Sequence, residues 1–470
     1  MKKNEIIKLY ISSYSNDGNG VGRHEGMAVF VPFTAVGDLL YARVVKVQKN
    51  YAFGIIESII EPSKNRKESD CPYFGKCGGC NFRHLEYEEE LNAKQEFVND
   101  ALSRIGDLHI EVNTIIGAPE TDHYRNKVQF PIASENGLLF PAFYQPRSHR
   151  AINIADSCKL QPDIMNNIAS DSCSILSKLG ETAYDETTHK GNLRHLLIRK
   201  SSLNGNVLLC VICCNGTIIN EKRFINEIRQ MYPNISTIVI NENKTLGNEI
   251  ISGKNHVIYG EGYIQDEING VPVKISYDSF YQINQKSTEL LYNCVRRFAE
   301  IKENEVVIDL YCGAGTIGLS CCDDSTNLIG VDVVDRAIQS AQEAAKKLGY
   351  EKARFYRSDS SFLSDITRKG IEPDLIITDP PRKGCSPAVI DAILLSKPSR
   401  IIMVSCNPAT LARDLRLLVD GGYEIIEVQP FDLFPRTKHV ETVCCLYHQK
   451  NDSISVPYEP QNTDYLQQLK

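Results

Sequence analysis

The chain of 470 residues has no uninterrupted run of about 18 apolar residues, the length that a membrane-spanning helix requires. Its N-terminus, MKKNEIIKLYISS, is basic but lacks the apolar core of a secretory signal. Positive charge is not in excess either, because the formal net charge is -7. These absences argue against a spanning protein and against one that coats nucleic acid indiscriminately. We expect a cytoplasmic monomer with no membrane contact.

A disulfide framework is not expected from the 16 cysteines, because disulfides persist in oxidising compartments and no secretory signal is seen. The segment CPYFGKCGGC brings Cys71, Cys77 and Cys80 close together in the sequence. We interpret these thiols as reduced and predict that they bind a metal. Thiolates suit zinc as well as an iron–sulfur cluster, so the spacing alone leaves both open.

The N-terminal part of the chain divides into two segments. Residues 1–62 contain short β-forming runs (IIKLYISS, MAVFVPF, LLYARVVKVQ, YAFGIIESII) separated by turn sequences such as NDGNGVG. They predict a small antiparallel, OB-like barrel. Residues 63–275 contain the cysteine segment, an amphipathic helix EEELNAKQEFVNDALSRIG and a mixed α+β stretch, and we treat them as a central domain.

Residues 276–450 alternate strands with helices, which predicts a Rossmann-like, doubly wound α/β domain with a mostly parallel sheet. The last strand, VETVCCLYH, is expected to run antiparallel. Ligands in such sheets bind beyond the carboxyl ends of the parallel strands. The residues at these ends are Tyr311, Asp332, Asp359, Asp379 and Cys406. Residues 451–470 are expected to form a loosely ordered polar tail.

The turn after the first of these strands carries Gly313, Gly315 and Gly318 in a G-x-G-x-x-G pattern. Such a turn fits a dinucleotide as well as S-adenosylmethionine. Asp309, just before the turn, would repel a pyrophosphate but attract the ammonium and sulfonium groups of the methyl donor, so we favour S-adenosylmethionine. Asp332 would then accept the ribose hydroxyls. Other residues expected nearby are Tyr311, Thr316 and Asp359, the last of which could instead cap a helix.

A second constellation lies at the same edge of the predicted sheet. Cys406 follows the strand RIIMVSC and precedes a helix that Asn407 would cap and Pro408 would begin. The positive end of that helix should lower the pKa of the thiol, as a nucleophile needs. Glu441 begins the antiparallel strand and would face Cys406, and Asp379 closes another strand at this edge.

A thiolate, a carboxylate and an electrophilic methyl group in one pocket predict methylation of uracil at C5. Cys406 would add to C6 and turn the ring into an enolate that attacks the methyl group. Glu441 would then remove the C5 proton. A base in folded RNA must be flipped out, which gives a use to the aromatics of SFYQINQ, residues 279–285. The basic residues that could hold the RNA backbone are Arg125, Lys127, Arg147 and Arg150.

Taken together, these segments resemble the S-adenosylmethionine-dependent RNA 5-methyluridine methyltransferases. The N-terminal barrel is similar to a TRAM domain, and the matching segments are HYRNKVQF, LRHLLIRK, SFYQINQ, DLYCGAGTIGL, GVDVV, TDPPRKG, VSCNP and TKHVETV. The resemblance implies a class I methyltransferase fold for residues 276–450, with Cys406 as nucleophile and Glu441 as base. The residues that it implies around the methyl donor are Gln282, Tyr311, Asp332 and Asp379.

The resemblance also implies a role for the cysteines. Members of this family that act on large-subunit ribosomal RNA carry a [4Fe-4S] cluster on four cysteines, which correspond here to Cys71, Cys77, Cys80 and Cys158. Barrel and cluster together imply 23S ribosomal RNA as the substrate, and tRNA stays open because barrel-bearing relatives act on it too. Two other interpretations are a non-covalent amino or hydroxyl methyltransferase, and an RNA-binding protein without activity.

Overall fold

The computed structural model describes residues 1–146, 148, 150–154, 158–247, 249–359, 361–368 and 370–449. The predicted tail, residues 451–470, and the basic residue Arg147 lie outside the described residues. The described residues form a closed barrel, two seven-stranded sheets and a two-stranded hairpin. None of the helices in these ranges is both long enough and apolar enough to cross a bilayer.

The predicted N-terminal barrel is present and has five strands, but its third and fifth strands pair in parallel, so the expectation of a purely antiparallel barrel is wrong for that pair. The five strands are β1 Ile6–Tyr14, β2 Asn19–His24, β3 Met27–Pro32, β4 Leu39–Val47 and β5 Tyr51–Glu61. Part of NDGNGVG, expected as a turn, instead belongs to β2. Its glycines allow close strand approach: a Cβ at Gly20 would lie 2.0 Å from Thr34 Oγ1, and one at Gly22 would lie 2.4 Å from the carbonyl oxygen of Tyr10.

The middle of the chain forms helix α1 and a mixed sheet in the order β12-β11-β10-β9-β6-β7-β8. Only β10 and β11 pair in parallel. The helices are α1 Tyr87–Arg104, α2 Asp163–Lys178 and α3 Glu221–Met231. The strands are β6 Lys127–Glu135, β7 Leu138–Tyr144, β8 Ala151–Asn153, β9 Leu193–Lys200, β10 Val207–Cys213, β11 Ile235–Glu242 and β12 Asn255–Tyr259. The sequence pattern predicts the mixture but not this strand order.

The third part contains a hairpin and the predicted α/β sheet, in the order β17-β16-β15-β18-β19-β21-β20. The strands are β13 Tyr263–Ile268, β14 Val271–Ser276, β15 Val306–Leu310, β16 Asn327–Asp332, β17 Arg354–Arg357, β18 Leu375–Thr378, β19 Arg400–Ser405, β20 Tyr423–Phe431 and β21 Glu441–His448. The helices are α4 Gln285–Ala299, α5 Thr316–Cys321, α6 Asp335–Leu348, α7 Ser361–Arg368, α8 Pro387–Ser396 and α9 Pro408–Asp420. Strand β21 runs antiparallel to β19 and β20, so the predicted α/β sheet is confirmed.

Helices cover both faces of this sheet, which explains why its central strands β15, β18 and β19 are buried almost throughout, whereas the edge strand β17 is largely exposed. Helices α4, α5 and α6 share one core with one face, and α1, α7, α8 and α9 share a second core with the other. Helix α1 precedes the mixed sheet of the middle part in sequence, yet it packs on α9 of the α/β domain. We call the edge where β15, β16, β18 and β19 end and β21 begins the carboxyl edge.

Candidate active site

The glycine-rich turn at the carboxyl edge has the backbone conformation that its sequence demands. Tyr311, Gly313 and Gly315 have φ of 62°, 55° and 75°, in the left-handed region. A Cβ at Gly315 would lie 2.9 Å from the ring of Phe355, so glycine is needed there for space as well. Asp332 holds the turn in place, because its Oδ2 accepts a hydrogen bond from Gly313 N at 3.0 Å.

Carboxyl groups gather around this turn. Asp309 Oδ2 accepts a hydrogen bond from Gly318 N at 3.0 Å, and Oδ1 is buried without a partner among the described residues. Burial, together with the charges of Asp379 and Asp332, raises the pKa of Asp309 to about 7. Burial likewise raises the pKa of Asp379 to about 7. Among the described residues, neither Asp309 nor Asp379 forms an ion pair, as expected of a pocket for a cationic ligand.

Other residues predicted around the methyl donor occupy varied positions. Thr316 Oγ1 lies 2.9 Å from Tyr292 Oη of α4, a residue that sequence reasoning missed. The carbonyl oxygen of Gln282 accepts a hydrogen bond from Asn126 Nδ2 at 2.9 Å. Asp359 lies just beyond the end of β17 and is exposed. The two aromatic residues of SFYQINQ lie in different environments: Phe280 is 76% exposed, whereas Tyr281 is buried in the core.

Cys406 and Glu441 meet at the carboxyl edge. Ser405 pairs with Thr442 across β19 and β21, and continuing this antiparallel register by one residue places Cys406 opposite Glu441. The thiol is partly buried and the carboxyl is buried. The charges of Glu441 and Asp379 both act on the thiol, so the three groups share one pocket.

The thiol is not the ready thiolate that the sequence predicts. Burial, together with the charges of Glu441 and Asp379, raises the pKa of Cys406 to about 11. The expected lowering of the thiol pKa is therefore wrong for the ligand-free pocket. Burial and the charge of Asp379 also raise the pKa of Glu441 well above its ordinary value. A carboxyl with a raised pKa is a stronger proton acceptor once ionised.

The helix after Cys406 begins as predicted. Asn407 Oδ1 accepts a hydrogen bond from Ala409 N at 3.1 Å, and Pro408 occupies the first turn. Asn407 Nδ2 also donates to the carbonyl oxygen of Arg382 at 3.0 Å. The cap of α9 thus ties the residue next to the thiol to the TDPPRKG loop.

Two further residues of this pocket escape the sequence reasoning. The charge of Arg382 opposes the rise in the pKa of both Cys406 and Glu441. Its Nη2 lies 3.5 Å from His439 Nε2. Burial, followed by the charge of Arg382, lowers the pKa of His439 to about 4, so this imidazole is neutral at pH 7. Arg382 belongs to the motif TDPPRKG and His439 to TKHVETV. Their closeness in sequence to Asp379 and Glu441 is the signal from which they could have been predicted.

The four candidate metal cysteines share one neighbourhood. Burial raises the pKa of Cys77, Cys80 and Cys158, and the charges of neighbouring cysteines raise it as well: Cys71 acts on Cys77, Cys158 acts on Cys80, and Cys77 and Cys71 act on Cys158. Burial raises the pKa of Cys80 to about 12. Across the described ranges, no three His, Cys, Asp or Glu side chains have the geometry to hold a metal ion. The donor chemistry fits a thiolate-bound group, and the ligation geometry itself is not formed.

Positive side chains surround these thiols. Arg83 hydrogen-bonds Cys80, and the charge of Arg125 lowers the pKa of Cys77, Cys80 and Cys158 against the effect of burial. Arg83 already pairs with Asp70 and Asp122, and Arg125 adds a second positive charge that would offset part of the negative charge of a thiolate set.

Comparison with known proteins gives consistent matches over the whole chain. Residues 86–449 match the family described as tRNA (Uracil-5-)-methyltransferase, and residues 2–56 match the TRAM domain. A Halalkalibacterium halodurans protein named as an uncharacterized RNA methyltransferase is 40% identical, covering 95% of this chain and 98% of its own length. A Listeria monocytogenes protein of the same description is 36% identical with the same two coverages.

A solved structure shares the fold. The Pyrococcus abyssi tRNA (uracil-54, C5)-methyltransferase in complex with S-adenosyl-L-homocysteine superposes with a TM-score of 0.73 and 23% sequence identity. The match covers 94% of this chain and 100% of that one. The barrel, the central sheet and the α/β sheet therefore occur together in a known architecture.

Proposed function

The chain belongs to the tRNA (uracil-5-)-methyltransferase family, S-adenosylmethionine-dependent enzymes that methylate uracil C5 in RNA, and from this premise we propose a covalent mechanism through Cys406 and Glu441. The observation that carries the proposal is the placement of a partly buried thiol opposite a buried carboxyl at the carboxyl edge. Within the described part of the chain, neither side chain makes a hydrogen bond or ion pair that would explain a structural role, although the charge of Arg382 acts on both.

The reaction balances with these two groups and the methyl donor. The Cys406 thiolate forms a bond to C6, and the C5=C6 electrons move to the O4 enolate. C5 then attacks the sulfonium methyl group, which forms the C5–CH3 bond and releases S-adenosylhomocysteine. Glu441 takes the C5 proton, the C5=C6 bond forms again, and the C6–S bond breaks. Cys406 leaves as the thiolate that attacked, Glu441 passes the C5 proton to solvent, and the net reaction releases one proton.

The methyl donor would occupy the pocket around the glycine-rich turn. Asp309 and Asp379 supply negative charge for its ammonium and sulfonium groups. Asp332 already accepts hydrogen bonds from backbone amides, and its position at the end of β16 suits the ribose hydroxyls. The remaining residues of the proposed donor pocket are Gln282, Tyr311, Gly313, Gly315, Thr316 and Asp359.

The test is methyl transfer from labelled S-adenosylmethionine to unmodified RNA. We expect 5-methyluridine from the unchanged protein and a loss of more than about a thousandfold in Cys406→Ala. Cys214→Ala, which removes another partly exposed thiol remote from the carboxyl edge, is the matched control. Retained activity in Cys406→Ala would instead favour a non-covalent amino or hydroxyl methyltransferase, and RNA binding without transfer would favour an inactive RNA-binding protein.

We propose 23S ribosomal RNA as the substrate. The proposal rests on the joint presence of the TRAM-like barrel and the four-cysteine set, which the tRNA-acting bacterial relatives generally lack. We assign residues 1–62 and 63–275 to RNA binding and residues 276–450 to the chemistry. The alternative is tRNA, the substrate printed for the Pyrococcus abyssi structure. Parallel assays with unmodified ribosomal RNA and unmodified tRNA separate the two.

We also assign a [4Fe-4S] cluster to Cys71, Cys77, Cys80 and Cys158. Support comes from four sulfur donors in one neighbourhood and from the two arginines beside them. The reaction above needs no electron, so the cluster would act in structure or in RNA docking.

A further inference from the structure

Four buried charges lie between α1 and the segment that leads to Glu441. Lys94 Nζ donates hydrogen bonds to Glu90 Oε1 and to Asp432 Oδ1, each at 2.7 Å. Arg436 donates to Glu90 through its backbone N at 2.6 Å, and its Nη1 lies 3.5 Å from Glu90 Oε2. Lys94, Glu90 and Asp432 have no exposed surface, and Arg436 is 6% exposed. We call these four residues the buried charge cluster.

Two members of the cluster belong to residues 432–440, which connect β20 to β21 and are called here the Glu441 loop. Asp432 follows Phe431, and Phe431 is the β20 residue paired with Glu441. Asp432 Oδ1 also accepts from Phe434 N at 3.1 Å, and Lys94 Nζ donates to the carbonyl oxygen of Phe434 at 3.2 Å. Lys94 of α1 therefore contacts two of the first three residues of the loop, and Tyr87 Oη of the same helix also donates to Asp432 Oδ2 at 2.9 Å.

The rest of the loop is fixed through Arg436. Its carbonyl oxygen accepts hydrogen bonds from Asn81 N at 2.7 Å and Phe82 N at 3.1 Å. Further along, Thr437 Oγ1 donates to the carbonyl oxygen of Phe434 at 2.7 Å. Nearby, Asn284 Nδ2 donates to the carbonyl oxygen of Leu433 at 3.0 Å. The loop before Glu441 is thus held by the helix, by the cysteine segment and by its own hydrogen bonds.

Stability alone is a poor explanation for such a cluster. Desolvating four charges costs about as much as their attraction returns, and apolar residues of similar volume often stabilise a core better. The charged groups instead make the loop geometry more specific, because a hydrogen bond restricts the positions of its two partners more tightly than apolar packing does. A loop that must place a base within hydrogen-bond reach of one carbon needs such a constraint.

We infer that Lys94 is a positioning residue for Glu441: through the buried charge cluster it holds the Glu441 loop so that the carboxyl reaches the C5 proton. This inference rests on the proposed function. It concerns one step only, because Cys406 lies between β19 and α9, and among the described residues no hydrogen bond or ion pair of the four cluster side chains reaches either element. Formation of the C6–S bond should therefore survive the loss of Lys94, and removal of the C5 proton should not.

The experiment follows the covalent enzyme–RNA adduct in a single turnover with labelled S-adenosylmethionine. In Lys94→Met the adduct should form and gain the methyl group within about threefold of the normal rate. Its resolution should slow by about ten- to a hundredfold, because a displacement of about 1 Å at a reacting group costs up to about a hundredfold. Methylated RNA that stays bound to protein in denaturing gels is the expected signature.

Three control variants distinguish a defect in proton removal from a general structural defect. Glu441→Gln should stall at the same adduct, and Cys406→Ala should form none. Arg400→Met removes another buried cation, paired with Glu305 at the opposite end of β19, and should lower stability without stalling resolution of the adduct. If Lys94→Met does not fold, Lys94→Met with Asp432→Asn removes one charge of each sign and leaves Glu90 with Arg436.

Normal adduct resolution in a folded Lys94 variant, with Glu441→Gln stalled, would overturn the inference and leave the proposed function intact. Equal slowing of adduct formation and resolution would also overturn it, since a general structural defect affects both steps. An unstalled Glu441→Gln would instead reject the covalent mechanism, and the inference with it.

Discussion

At the residue scale, the surroundings of Cys406 keep the thiol protonated until a ligand arrives. Burial and two carboxyls raise the pKa of its thiol to about 11, although a helix begins beside it. A sulfonium bound between the thiol and these carboxyls would lower the pKa of the thiol, because a nearby positive charge favours the thiolate. The methyl donor would then activate the nucleophile as well as supply the methyl group, and the free enzyme would be protected from oxidation.

Alkylation of Cys406 tests this dependence. At pH 8 the ligand-free thiol should react slowly with iodoacetamide, because its pKa of about 11 leaves little thiolate. A donor analogue with an amine in place of the sulfonium should raise the rate by about tenfold, since one positive charge nearby lowers a thiol pKa by at least about one unit. S-adenosylhomocysteine, which lacks the charge, is the matched control. Mass spectrometry of the Cys406 peptide gives the rate, and fast alkylation without ligand would contradict the argument.

Asp309 governs a second pH dependence. The pKa of Asp309 and that of Asp379 are each raised to about 7, so both carboxyls gain protons as the pH falls from 8 to 6. Protonation removes negative charge, and the affinity for the cationic donor should therefore fall with falling pH. Asp309→Asn should weaken donor binding about tenfold at pH 8 and flatten its pH dependence.

Calorimetric titration of S-adenosylmethionine at several pH values measures this effect. Asp391→Asn, an exposed carboxylate on α8, should bind the donor normally at each pH. Equal affinity of Asp309→Asn and the unchanged protein at pH 8 would show that the buried carboxylate does not face the donor.

At the element scale, α9 connects the stability of the sheet to the position of the thiol. Asn407→Ala removes the cap of α9 and the hydrogen bond to the Arg382 carbonyl, and should cost about 1 kcal/mol of stability. Methyl transfer should fall about tenfold as well, because the residue after Cys406 loses both anchors.

The matched control for this change is the cap of α8. Ser386 Oγ accepts a hydrogen bond from Val389 N, away from the thiol. Ser386→Ala should lower the unfolding midpoint to a similar extent and leave methyl transfer unchanged. If both variants lose activity alike, the loss reflects stability and not the position of Cys406.

The elements also show where sequence reasoning succeeds and where it stops. Strands that are apolar on both faces and a glycine-rich turn identify the α/β sheet, because that pattern has few other solutions. The strand at Asn19–His24 was missed since Gly20 and Gly22 usually mark turns, and only the tight strand contacts reveal their use. The raised pKa of Cys406 was missed because burial and neighbouring carboxyls are tertiary properties.

At the scale of the whole molecule, the chain connects distant parts through a few buried contacts. Lys94 of α1 reaches the Glu441 loop, and the backbone next to Cys80 hydrogen-bonds Arg436 in that same loop. Cys158 joins the cysteine segment from beyond β8. The cysteine neighbourhood and the candidate active site are therefore parts of one connected structure, and a change in one should be measurable in the other.

Metal content tests the cysteine assignment at this scale. Protein purified without oxygen should contain about four irons and four acid-labile sulfides per chain, with broad visible absorption. Cys158→Ser should lose this absorption and most of the iron, whereas Cys214→Ser, also partly exposed, should retain both. Stoichiometric zinc without sulfide would assign the other thiolate-bound group, and neither metal would reject the site. Because Asn81 lies between Cys80 and the Glu441 loop, Cys158→Ser should also slow resolution of the covalent adduct more than its formation.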